Sequence, residues 1–214
     1  MFAGSSSKGA AATYRNVFLA NWVGRVSLGE SLGFLAPALA QLLAAALWPT
    51  ATFPLLVLAG FVEGAVLGWF EVHVLRSRLP DVSIRRWVLF TGAAAAGAWT
   101  LGLLPSADSA WQDWPAAAQI AAGTTAGVVL LASIGFAQWI ELRHHVPRAW
   151  RWIAGSAAAW AAGLGVFMAV ATLLWQPGQD LWLSALIGIW AAVLMAVTMA
   201  VITGLVMARL LPKT

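Results

Sequence analysis

Residues 181–210 read LWLSALIGIWAAVLMAVTMAVITGLVMARL, and the only charge in the run is Arg209, one position from its end. No polar/apolar alternation of period two interrupts it, and it is rich in Leu, Ala and Met, so it reads as a helix. At about 1.5 Å per residue it is long enough to cross the ~30 Å hydrocarbon core of a bilayer. Five further apolar stretches of the same kind precede it. Together they predict helices over roughly 22–47, 54–77, 85–104, 115–143, 149–174 and 181–210.

Composition agrees with a lipid solvent. Apolar residues make up 61% of the 214-residue chain, charged residues 9%, and mean hydropathy is +0.82. Soluble domains are about 45–50% apolar and about 25% charged, so this chain could not cover a surface facing water. In lipid every backbone polar group must bond within the protein, which leaves helices or a closed barrel. The expected fold is therefore an all-α membrane protein with six transmembrane helices. Residues 1–20 are expected to form a polar cytoplasmic N-terminal segment, not a signal peptide, ahead of a single transmembrane domain over 21–214. Cysteine is absent, which removes disulfides and thiolate chemistry, and three scattered histidines give no metal-ligand spacing.

The basic residues set the orientation. All twelve Lys and Arg fall on one side: Lys8, Arg15 and Arg25, then Arg76, Arg78, Arg85 and Arg86, then Arg143, Arg148 and Arg151, and finally Arg209 and Lys213. The opposite connections hold Asp108, Asp113 and Asp180 and no base. The positive-inside rule makes the basic side cytoplasmic, with both termini there, as expected of a bacterial inner membrane protein. Topology accounts for the net charge of +4 with no nucleic-acid partner. Anionic lipid headgroups are the natural partners of that side, at Arg76, Arg85, Arg86, Arg143, Arg148 and Arg151. Glu71, His73 and Arg78, with Glu141, His144 and His145, are expected in the same cytoplasmic cluster, where a membrane-protein partner could dock, or the belt could fix topology alone.

The chain also repeats. GAVLGWFEVHVLRSRLP (64–80) and ASIGFAQWIELRHHVP (132–147) align with Gly68 on Gly135, Glu71 on Gln138, Arg76 on Arg143 and Pro80 on Pro147. Asn21-Trp22, Arg86-Trp87 and Arg151-Trp152 open the odd helices alike. Three repeated helix pairs, with the first and last helices left single, predict a pseudo-threefold bundle. An irregular six-helix bundle with decayed repeats is the plain alternative. Mitochondrial carriers also have three hairpins, but their Pro, acid and base signature follows no odd helix here. The sequence resembles instead a group of uncharacterised bacterial six-helix membrane proteins. The residues that carry the likeness are Gln138-Trp139, Leu142-Arg143, Leu75-Arg76 and Gly29-Glu30-Ser31-Leu32-Gly33-Phe34. That resemblance implies no activity.

Two acids lie at membrane depth. Glu63 is expected near the bilayer midplane and Glu30 about two turns into the first helix. A carboxyl there costs several kcal/mol unless it is paired, so it marks a functional site by default. With no base at matching depth, Glu63 is expected to be neutral or to meet a cation or water. An interhelical hydrogen bond is the duller reading of both acids. Gly60, Gly64 and Gly68 form a bare ridge beside Glu63, for tight packing within the chain, for an oligomer face or for a flat ligand. Gly29, Gly33, Gly123 and Gly127 offer matching surfaces. Pro37 should kink the first helix.

Of the fourteen tryptophans, Trp22, Trp87 and Trp152 are among nine expected at the interfaces. The deeper Trp69, Trp99, Trp139, Trp160 and Trp190 either pack or line a pigment or quinone pocket. No phosphate loop or Ser–His–Asp set is present, so no enzyme is expected. The expected function is an accessory or scaffold subunit of a larger membrane assembly, binding a membrane-protein partner or a second copy. The alternative is a small transporter or channel for a proton, cation or small solute, using Glu63 and Glu30.

Overall fold

The structure is a computed structural model, and it describes residues 4–107 and 109–212. Asp108 and Lys213 lie outside the described residues, as does the side chain of Lys8. Every long element is a helix: α1 (Gly4–Gly33), α2 (Leu35–Leu47), α3 (Thr52–Leu75), α4 (Ile84–Ala107), α5 (Ala116–Leu142), α6 (Arg151–Leu174) and α7 (Leu181–Leu210). Short 3₁₀ turns at Pro49–Ala51 and Ser109–Asp113 join α2 to α3 and α4 to α5. Six stretches are long and apolar enough to cross a membrane, with α1 and α2 together making the first. Their outer faces carry exposed Leu28, Leu39, Val128, Leu173, Ile189 and many other apolar side chains, a surface that only lipid can solvate.

The spans form a closed ring. Each packs on its neighbours in sequence, α1 on α3, α3 on α4, α4 on α5, α5 on α6 and α6 on α7, and α7 returns to α1. Helix ends fall within a few residues of expectation except in two places. The first helix begins at Gly4, far ahead of residue 22, because the 10–12 Ala run favours helix and Phe18, Trp22 and Val26 bury one continuous stripe. Helix α4 runs past Pro105 to Ala107, since a proline so close to a helix end removes little hydrogen bonding.

Pro37 offers no N–H to the Gly33 carbonyl, and this one lost bond marks the interruption between α1 and α2. Phe34 itself keeps αR geometry, and its N–H and carbonyl still bond to Glu30 and Ala38. The interruption lies beside α3: a Cβ on Gly33 would stand 2.9 Å from the Glu63 carbonyl oxygen.

The closest packing joins α3 to α4. Gly60 lies against the Trp99 ring, Gly64 against Ala95 and the Thr91 carbonyl, and Gly68 against Thr91. A Cβ on Gly64 would stand 2.5 Å from Ala95 Cβ and 2.7 Å from Thr91 O, so only glycine permits this approach. The ridge is thus occupied within the chain. Gly29 packs on Phe70 of α3, whereas Gly123 and Gly127 on α5 face open space.

Candidate functional site

The ring encloses two different interiors. At the basic end, tryptophans of three of the spans turn inward and donate to polar groups on neighbouring helices. Trp22 Nε1 donates to Thr203 Oγ1 at 3.1 Å, Trp87 Nε1 to Glu71 Oε2 at 3.0 Å, and Trp152 Nε1 to Gln138 Oε1 at 2.8 Å. Gln138 Nε2 donates to Glu71 Oε2 at 2.5 Å and to Thr91 Oγ1 at 3.0 Å, tying α5 to α3 and α4. Thr91 Oγ1 in turn donates to the Trp87 carbonyl. All three amide hydrogen-bonding functions of Gln138 are engaged, its two N–H groups and its oxygen.

Trp22, Trp87 and Trp152 are therefore core residues, fully buried, and not the interfacial anchors expected of them. The indole suits either place, because an apolar ring with one donor can meet headgroups or a buried acceptor equally well. Glu71, read from sequence as part of a cytoplasmic cluster, is likewise buried in this network. The signal for it was present: Glu71 aligns with Gln138 in the repeat, and both are acceptors at the same slot.

Toward the middle of the ring the packing opens into a cavity of about 450 Å³. Every span contributes to its wall: Glu30 from α1, Glu63 from α3, Trp99 from α4, Leu130 from α5, Trp160 from α6 and Met195 from α7. Glu30 and Glu63 stand close to the centres of the Tyr14–Leu47 and Pro49–Leu75 spans. For Glu30 this is deeper than two turns, because α1 begins well before the expected start.

The two acids differ in what they touch. Glu63 accepts a hydrogen bond from Trp99 Nε1 at 2.6 Å, which holds the indole across the cavity wall. Glu30 is fully buried, and neither of its carboxyl oxygens has a hydrogen-bond partner among the described residues. Ser27, one turn earlier, also buries an unpartnered hydroxyl. The charged groups that act on Glu30 electrostatically are Glu63 and Glu71, both acids. Among the described residues the ion pairs involve Glu141, and none reaches Glu30, Glu63 or Glu71. Isolating an ionised carboxylate in this way costs several kcal/mol, so Glu30 requires a proton or a cation.

The basic end is also where the connections meet. Glu141 Oε1, near the end of α5, accepts from Ser83 N at 2.9 Å, at the start of α4, and meets His145 Nε2 at 3.3 Å; its other oxygen lies 3.6 Å from Arg86. A carboxylate there is favourably placed against the N-terminal dipole of α4. The six arginines read as a docking set are all exposed. Arg76 donates to the Pro80 carbonyl, Arg86 pairs with Glu141, and Arg143 and Arg151 lie over the rings of Trp139 and Trp150. Arg148 adopts φ 58°, which turns the chain between α5 and α6. Arg85 lies on the exposed face of the first turn of α4.

Of the deeper tryptophans, Trp99 and Trp160 line the cavity, while Trp69 and Trp190 face outward. No family model, no curated protein and no solved structure matches this chain. The resemblance to the bacterial six-helix group accordingly stands on the quoted residues alone.

Proposed function

We propose that this chain is a small, non-enzymatic transporter whose solute or coupling ion is held at Glu30 and Glu63 in the middle of the ring. The observation that carries this reading is Glu30: a buried carboxyl without a hydrogen-bond partner among the described residues, in the wall of a cavity shared by all six spans. A purely structural acid would be expected to have found a donor, as Glu71 has.

The three-pair plan belongs to this proposal. The inward tryptophans recur at 65-residue intervals, and each bonds to the even-numbered span beside it, the first of them to the last span of the chain. The proposed setting is a bacterial inner membrane with both termini cytoplasmic and the exposed arginines among anionic headgroups.

The test is flux in proteoliposomes. Glu63→Gln and Glu30→Gln should each abolish proton or cation movement down an imposed gradient while the protein still elutes as a folded species. Flux equal to that of the wild type in both variants would remove the reading.

The accessory-subunit reading keeps one observation in its favour, the bare strip of Gly123 and Gly127 on α5, which packs against nothing among the described residues. The expected sign of such a subunit is release of a stoichiometric partner by Gly127→Leu without loss of the folded monomer.

A further inference from the structure

Building on the carrier reading, we propose that the central cavity binds an organic cation with a bulky apolar body, its charge drawn to the side of Glu63 and the buried Glu30 and its body against the aromatic wall. Three features of the site select this class. The first is charge. The unpartnered Glu30 carboxyl and the nearby Glu63 make the site acidic, with no base in its wall, so an anion is repelled and a neutral apolar solute leaves Glu30 unpaired.

The second feature is size and surface. A bare proton has no use for about 450 Å³, a volume typical of sites for drug-sized organic molecules. Away from the two acids the wall is Phe34, Trp160, Phe167 and aliphatic side chains. Phe34 and Phe167 stand with ring centroids 6.2 Å apart and tilted, one at the helix interruption and the other on α6. Aromatic faces attract a desolvated ammonium or phosphonium, which adds to the pull of the carboxylate.

The third feature excludes a hard metal ion. Calcium takes six to eight oxygen ligands and magnesium a near-octahedral set. Among the described residues no three His, Cys, Asp or Glu side chains converge to hold a metal. Glu63 has one oxygen committed to Trp99, so the cavity supplies charge without a cage.

The experiment uses the full chain in nanodiscs of zwitterionic lipid, with empty nanodiscs subtracted. Binding of tetraphenylphosphonium is measured by calorimetry beside tetraphenylborate, a probe of the same shape and opposite charge. The expected result is saturable binding of one phosphonium per chain, weakened about tenfold or more in Glu30→Gln and in Ala98→Trp, which fills the wall, with no saturable borate binding. Thermal melts of both variants establish that they fold.

Equal binding of the borate, or phosphonium binding unchanged in both folded variants, overturns the proposal. So does displacement of the phosphonium by sodium or magnesium at constant ionic strength. Flux in liposomes separates this inference from the carrier reading. Glu30-dependent proton flux without phosphonium binding removes the ligand class and keeps the carrier; phosphonium binding without any flux does the reverse.

Discussion

Glu71 and Glu30 are both fully enclosed glutamates inside the same ring of helices, yet their surroundings are opposite. Glu71 accepts from Trp87 and Gln138, and the network around it continues to Thr91 and Trp152. Among the described residues Glu30 has no partner on either oxygen, and it lies buried in the wall of the apolar cavity. One end of the ring is closed by polar groups that satisfy one another; the middle holds a cavity whose wall buries a carboxyl that no described residue satisfies. Under the proposed carrier function, burial alone does not separate a structural acid from a working one. The count of donors does.

The sharpest way to break this contrast is to exchange the two phenotypes. Glu30→Gln should abolish flux in liposomes while the melting temperature stays level or rises, because the amide is neutral without having to take up a proton or a cation. A fall in stability with flux preserved would reverse the assignment.

Packing of α3 on α4 holds both regions in place, so Gly64→Leu should act on each. Its new side chain meets backbone and the Ala95 Cβ, which cannot yield as a flexible side chain does. A cost at or above the upper end of the usual overpacking range of about 1–3 kcal/mol is expected, read as loss of the folded species in gel filtration.

Glu71→Ala leaves the Trp87 indole N–H and one Gln138 N–H without their acceptor. Stability should fall by about 1–3 kcal/mol in thermal or denaturant unfolding, with residual flux in whatever protein folds. Trp152→Phe removes one interhelical hydrogen bond and should cost roughly 0.5–1.5 kcal/mol by the same measurement. The smallest effect belongs to the outer edge of the network. Arg86 is 65% exposed where it meets Glu141, so Arg86→Ala should change unfolding stability by less than about 1 kcal/mol.

Which of these residues could be read from sequence follows from what hydropathy measures. It reports depth, so the spans, most of their ends and the central placement of Glu63 in its span are legible, whereas Glu30 lies deeper than its two-turn reading. It does not report rotation about the helix axis. A water-facing helix shows its core by amphipathicity, but lipid is as apolar as a core, and the outward and inward faces of α5 or α7 are composed alike. For that reason Trp22, Trp87 and Trp152 had the right depth for interfacial anchors and the wrong assumed direction.

Glu71 was assigned to the aqueous cluster for a related reason, since His73, Arg76 and Arg78 follow it closely in sequence. One helical turn separates a buried acceptor from an exposed base. The cavity had no sequence signature at all, because its wall takes residues from every span and exists only once the ring closes. The start of the first helix was missed because polar Ser and Lys in 4–8 mask the helix-favouring Ala that follow.

The central claim is that the unpartnered carboxyl of Glu30 is the working group and the bonded carboxyl of Glu71 is not. The most direct test reconstitutes Glu30→Gln and Glu71→Gln side by side and records flux and melting temperature on the same preparations. Glutamine at 71 retains an oxygen for Trp87 and Gln138, so that variant should keep flux and most of its stability, while Glu30→Gln melts at or above the wild-type temperature and carries no flux. Equal flux from both variants, or loss of flux only in Glu71→Gln, would contradict the account.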